Sequence, residues 1–179
     1  FPATVRQMEA INRLAADVRL HLLVESLAAA RILEERLAQP VHAWIEVDAG
    51  SGRSGVPWDQ GGDLHALAEF LADSRNMRLQ GLLTHAGNTY AARSVGEVSA
   101  IHNETVTRLV RLRNWLMEYG FLGLELSIGD TPACSMLNDW GEVDEARPGN
   151  FVFYDLTQMA IGSCTAADVG FVVACPVVS

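Results

Sequence analysis

The chain has 179 residues, 49% hydrophobic and 20% charged, a balance that fits one soluble globular domain with a substantial core. Its formal net charge of −9 argues against a nucleic-acid or anionic-membrane partner, since both ask for clustered positive charge. No apolar run approaches the roughly 20 residues that span a bilayer, and three cysteines without metal-like spacing fit a reduced, cytoplasmic setting.

Two further features bear on function. The N-terminal FPATVRQMEA lacks both an initiator methionine and the shape of a secretory signal, so a processed chain or a segment of something longer is expected. All 13 basic residues are arginine. Chemistry that needs a lysine amine must take it from elsewhere.

In chain order, Thr4 with Gln7 forms a candidate capping box ahead of the stripe Val5, Met8, Ile11 and Ala15. LHLLV (20–24) reads as a strand, and 27–38 as a helix with Ala30, Leu33 and Leu37 on one face, stopped by Pro40. HAWIEV (42–47) is the next strand. Asp63 is a candidate cap for a helix over 64–74, and LQGLLT (79–84) is a strand. Ser94 and Glu97 suggest a second capping box, opening a long helix through Ile101, Thr105, Leu109, Leu112 and Leu116 that Gly120 ends. GLELS (123–127) and NFVFYD (150–155) read as the last clear strands. The apolar tail DVGFVVACPVVS reads as a strand leaving for another sheet.

About five apolar strands alternating with helices imply an α/β fold with a parallel sheet. The chain is shorter than the about 250 residues of a (β/α)8 TIM-type barrel, so it is either an open doubly wound sheet or part of such a barrel. In both, chemistry gathers at the C-terminal ends of the strands. The polar clusters fall there: 48–55, 84–90, 127–131 and 154–155.

GSGRSG (50–55) fits G-x-G-x-x-G, but Pro57, Trp58 and a second glycine pair separate it from its helix. That favours a glycine-rich turn presenting Arg53 over a dinucleotide fingerprint. In THAGNTY (84–90), His85 is either a satisfied structural histidine or a flat ring facing a planar cofactor. SIGDTPAC (127–134) offers the Ser127 and Thr131 hydroxyls and backbone N–H groups around Gly129, which suit a phosphate or a plain turn equally. In EARPGNFVFYD (145–155), Arg147 is either a surface residue of a Pro-Gly turn or a permanently protonated donor to a ring nitrogen. Cys134 reads as a buried thiol. His21, His42, His65 and His102 lack partners at metal spacing. G-x-S-x-G, H-E-x-x-H and P-loop motifs are absent.

Taken in order, EVDAGSGRSGV, GLLTHAGNTY, SIGDTPAC and EARPGNFVFYD resemble the D-threonine aldolase and D-serine dehydratase-like family of alanine-racemase-type, fold type III pyridoxal-phosphate enzymes. The resemblance covers nearly the whole chain. It implies a partial barrel over 1–165, lacking its first strand or strands, and at 166–179 the start of a strand leading to a second β domain. By position, Arg53 resembles the arginine near the cofactor's phenolic oxygen, and His85 the residue packed on the pyridine ring. Ser127, Gly129 and Thr131 resemble part of the phosphate site, with Gly149 and Asn150 as backbone donors and Tyr154 reaching the phosphate. Arg147 resembles the arginine facing the pyridine nitrogen.

The family attaches pyridoxal 5'-phosphate to a lysine in the first barrel strand and carries divalent-metal (Zn or Mn) ligands in its second domain. Both are expected outside this chain, which alone is expected to be inactive. The resemblance thus implies a metal-assisted lyase on small D-β-hydroxy amino acids, working as a homodimer. An amino-acid racemase on the same scaffold, or a lysine-less module that binds the cofactor without catalysis, are the alternatives.

Overall fold

The computed structural model describes residues 3–176. Six strands, β1 (His21–Val24), β2 (Val41–Asp48), β3 (Val56–Pro57), β4 (Met77–Thr84), β5 (Glu125–Ile128) and β6 (Glu145–Ala146), build one sheet. Its order is β1-β2-β4-β5-β6, with β3 beside β2, and every pairing is parallel. Six α-helices intervene: α1 (Met8–Asp17), α2 (Leu27–Arg36), α3 (Gly61–Ala72), α4 (Val95–Glu118), α5 (Thr131–Met136) and α6 (Leu156–Ile161).

Side-chain alternation gives the sheet two unlike faces. Leu22, Val24, Ala43, Ile45, Val47, Leu82 and Leu126 pack into one buried cluster with Met8 and Ile11 of α1, Ala30 and Leu33 of α2, Leu64 and Leu67 of α3, and Leu109 and Leu116 of α4. The other face carries His21, His42, Trp44, Glu46, Leu83 and Ser127. On it, His21 stacks on His42 at 4.8 Å and accepts from Trp44 Nε1 at 2.9 Å.

Helix ends follow local chemistry. The Thr4/Gln7 capping box is present, with a 3-10 turn at Val5–Gln7 leading into α1. Ser94 accepts from the Glu97 N–H at the start of α4, and Glu97 accepts from the Arg93 N–H. Gly120, at φ +92°, closes α4 with Phe121 N–H returning to Leu116 O. β4 bends past β2 at a register shift between Ala43 and Trp44, next to Gly81. A Cβ on Gly81 would run into the Glu125 carbonyl of the neighbouring strand, so only glycine fits.

Two sequence expectations are corrected. Asp63 lies in the first turn of α3 and does not cap it. The helix opens earlier, at Gly61 with Gln60 as N-cap, because Gln60 N–H already turns back to Pro57 O. NFVFYD is not a strand: Asn150–Val152 forms a 3-10 turn, and Phe151 and Phe153 are exposed. Asn150 O accepts from Tyr154 N–H, and Asn150 Nδ2 donates to Asp155, so local bonds win over the apolar alternation. Strand β6 comes earlier, at Glu145–Ala146. The tail has a 3-10 turn at Ala166–Asp168, and residues 169–176 pair with no strand of this sheet, as expected of a segment leaving for another; residues 177–179 lie outside the described residues. Gly170 N–H donates to Phe153 O at 2.7 Å, a backbone bond between the tail and the 3-10 turn after β6.

Candidate active site

The site stands at the C-terminal ends of β2, β4, β5 and β6, where a parallel sheet brings its loops to one edge. At the end of β2 the glycine-rich stretch folds on its own aspartate. Asp48 Oδ1 accepts from Gly50, Ser51 and Gly52 N–H at 2.9, 2.9 and 3.1 Å. Those N–H groups are therefore spent within the turn, as the glycine-turn reading expects. Gly55, at φ +103°, lets the loop lie within 2.8 Å of the β2 backbone at its Cβ position. Arg108 of α4 braces the loop from outside, donating to Ala49 O at 2.6 Å and lying 4.5 Å from the centre of the Trp58 ring. This presents Arg53 to a cavity of about 450 Å3 that Ser51, His85, Gly87 and Tyr90 also line.

His85 follows β4 directly. Its Nδ1 lies 2.5 Å from Gly129 O. A carbonyl only accepts, so Nδ1 carries the proton and Nε2 keeps its lone pair. Burial draws the imidazole below its ordinary pKa, and Arg53 adds to this, while the Gly129 bond opposes it. The ring is thus neutral around pH 7, tilted 42° to the Tyr90 ring at 5.9 Å.

The stretches 84–90 and 129–131 form one unit. Gly129 N–H donates to Thr84 O at 3.1 Å, His85 to Gly129 O, Thr89 Oγ1 to Asp130 Oδ1 at 2.9 Å, and Thr131 N–H to the Tyr90 hydroxyl at 3.5 Å. Asp130 also caps α5 through Ala133 N–H at 2.7 Å; its carboxyl is pushed up by burial. Cys134 is half-buried, and burial raises its thiol as well, in keeping with a quiescent thiol.

The sequence-predicted phosphate residues divide here. Thr131 is fully buried and its Oγ1 accepts from Asn150 N–H at 3.1 Å, leaving its own O–H to donate. Tyr154 stands nearby at φ +48°, the left-handed region that a tyrosine enters only under constraint, with its hydroxyl 3.1 Å from Ser135 Oγ. Gly149 has open space around it. Thr131, Asn150 and Tyr154 are linked in series, Asn150 N–H to Thr131 Oγ1 and Tyr154 N–H to Asn150 O at 2.7 Å, with Gly149 next to Asn150 in the chain.

Ser127 and Gly129 are occupied otherwise. Ser127 is fully buried; its hydroxyl accepts from Arg147 Nε at 2.7 Å and donates to Glu145. The Gly129 N–H belongs to the sheet ladder, and a Cβ there would sit 2.8 Å from Arg147 O. That glycine serves the close approach of two backbone segments, 127–129 and 145–147. Arg147 Nε also pairs with Glu145 Oε1 at 2.9 Å.

Sequence reasoning missed Tyr90, which links the Arg53–His85 cavity to Thr131, and Glu46, a buried carboxylate on β2 that accepts from Ser54 Oγ at 2.7 Å. The tyrosine at the end of THAGNTY, six residues past a strand end, was a readable signal for the first; nothing marked the second. Among the described residues, no group of three or more His, Cys, Asp or Glu stands together as a metal site.

Comparison with known proteins places this geometry. The family described as alanine racemase, N-terminal domain, matches residues 4–156. D-threo-3-hydroxyaspartate dehydratase of Delftia sp. (strain HT23) is 32% identical over 180 residues, covering 99% of this chain and 47% of that protein. Its solved structure superposes with a TM-score of 0.85 at 30% identity, over 95% of this chain and 46% of that one. A D-serine dehydratase of Dictyostelium discoideum is 28% identical over 143 residues, covering 76% of this chain and 36% of that protein. D-threonine aldolase from Filomicrobium marinum shares the fold, with a TM-score of 0.79 at 22% identity, over 93% of this chain and 45% of that one. The chain thus spans less than half the length of each of these proteins. On the family match and the shared fold together, the chain belongs to the alanine racemase N-terminal domain family.

Proposed function

We propose that the chain forms the phosphate cradle and ring-facing wall of a pyridoxal-phosphate-dependent lyase acting on small D-3-hydroxy amino acids. The carrying observation is the union of two donor sets: the Arg53–His85–Tyr90 cavity and the Thr131–Asn150–Tyr154 group, joined by the bonds between 84–90 and 129–131.

The donor set fits the cofactor. Thr131 and Tyr90 each accept one N–H and keep an O–H to give. Of the Ser135–Tyr154 pair, one hydroxyl likewise keeps a free proton. Several convergent O–H donors suit a phosphate anion. Thr131, Gly149, Asn150 and Tyr154 would hold that phosphate, with Ser127 acting through Arg147. Pyridoxal phosphate, when bound, supplies the electron sink for a bond breaking at the substrate's Cα or Cβ.

The chain's own groups set what surrounds that chemistry. Neutral His85 offers a flat, uncharged face to an aromatic ring. Arg53 would give N–H donors to the ring's phenolic oxygen. Arg147 cannot release its proton at working pH, so it can only donate toward a ring nitrogen and keeps that nitrogen unprotonated. The amine that holds the cofactor's aldehyde is not among these residues, which contain no lysine. A metal, a second β domain reached through 166–179, a homodimer and a cytoplasmic setting complete the proposal. The metal's ligands would also come from outside the described residues, and no step is assigned to it.

Two of the similar proteins are named for dehydration, which favours release of water over aldol cleavage. The test is to purify the full-length protein, treat it with borohydride, and supply D-threo-3-hydroxyaspartate, D-serine and D-threonine. A reducible chromophore and ammonia with a 2-oxo acid are expected. Glycine and an aldehyde would make it an aldolase, and the L-enantiomer a racemase. No reducible chromophore would remove the proposal. Thr131→Val should weaken retention of pyridoxal phosphate by about tenfold, the worth of one charge-assisted hydrogen bond.

A further inference from the structure

One register row crosses the face of the sheet opposite the main core. Glu46 of β2 pairs with Leu83 of β4, Leu83 with Ser127 of β5, and Ser127 with Glu145 of β6. Residues in such a row project to the same side, about 4.8 Å apart from strand to strand. Carboxylates therefore stand at both ends, with an apolar floor at Leu83 between them. Arg147, two residues beyond Glu145, lies over this row and pins its Nε to Ser127 and Glu145. Both of its side-chain bonds among the described residues leave from Nε, so its terminal nitrogens remain to donate.

Glu46 is the unmatched member. It is only 6% exposed, one oxygen accepts from Ser54, and Oε2 is buried with no hydrogen-bond partner among the described residues. A buried carboxylate oxygen without a donor is costly. Burial draws the Arg147 guanidinium below its ordinary pKa; Glu145 opposes this most, and Glu46 adds to that opposition.

We propose that Glu46 is a positioning residue: its second oxygen, which has no protein donor among the described residues, receives a terminal N–H of Arg147 through one bridging water. Glu46 and Glu145 thus clamp the guanidinium from the two ends of the row. Through Ser54, the same carboxylate ties the loop that carries Arg53 to the same strand. The two arginines of the site are then set by one acidic side chain. The proposal rests on the preceding section only in what Arg147 faces. There, the clamp fixes the direction of a permanently charged donor.

The test is a double-mutant cycle in the full-length protein, without cofactor. Glu46→Gln should raise the unfolding equilibrium constant about tenfold, but less than about threefold when Arg147→Met is already present, as coupled neighbours do. Glu46→Asp should retain most of the coupling. Ser54→Ala should leave it intact. In nitrogen-15 spectra, exchange of the Arg147 Nε proton should quicken about fivefold in Glu46→Gln. Additive effects with unchanged exchange would overturn the clamp. So would a Ser54→Ala variant that reproduces the whole effect of Glu46→Gln. Failure to take up pyridoxal phosphate would instead sink the proposed function and leave the clamp standing.

Discussion

At the scale of single residues, His85 links fold and site through one proton. Its folded pKa lies below the ordinary value because burial disfavours the charged ring. The unfolded chain then takes up a proton near pH 6.5 while the folded chain stays neutral to lower pH. Stability is therefore full above that value and falls as pH drops through it toward the folded pKa. His85→Gln keeps a donor for Gly129 O and should flatten the slope of unfolding free energy measured between about pH 7.5 and 5.5. His21, lowered in the same sense, leaves a residual slope. An unchanged slope would mean that His85 is not buried neutral. The sequence singled out His85, Arg53 and Thr131 as candidate residues because parallel strands gather polar clusters at one end. It did not disclose which atoms are already spent. Ser127 looks like a phosphate hydroxyl until Glu145 and Arg147 are seen to share it, and those residues lie 18 and 20 positions further on.

At the scale of elements, the strands and helices that bury an apolar face were readable, since their periodicity is what burial selects. The exception is informative. NFVFYD has the composition of a strand, yet Asn150 and Asp155 bracket it with bonds to each other and to the backbone. Asp155 then caps α6 by accepting Gln158 N–H at 2.8 Å. Its carboxylate is held below its ordinary pKa chiefly by that N–H and by Asn150. Asp155→Ala should lower stability by about 1 kcal/mol, the usual worth of such a cap, measured by denaturant titration. It should also weaken pyridoxal-phosphate retention, because Asn150, whose carbonyl holds the Tyr154 N–H, loses its side-chain anchor. Wild-type retention would separate the cap from the cradle.

At the scale of the whole chain, apolar side chains collect where the described residues end. Phe151, Phe153, Leu156, Phe171, Val172 and Val173 are exposed, and several line a groove of about 520 Å3 with Asp155 and Val169. Contiguous apolar surface on this scale drives association. Expressed alone, these 179 residues should therefore self-associate, with apparent mass rising with concentration in sedimentation. Leu156→Ser with Phe171→Ser should suppress the rise; a monomer at all concentrations before substitution would contradict it. The plan of the sheet was legible from alternation of strand and helix. Along 169–176 the chain is irregular, and a β-branched run forms a strand only beside an edge that can receive it.

The four bonds that join 84–90 to 129–131 also set terms for redesign. Each stretch completes the other's backbone: a carbonyl of one receives the amide of the other, and a carboxylate and a phenol close the remaining gaps. A loop transplanted from a relative to alter substrate choice would arrive with half of its scaffold missing. The unit of exchange here is both stretches together, so libraries that vary 84–90 alone should yield mostly misassembled sites, and paired grafts the functional ones.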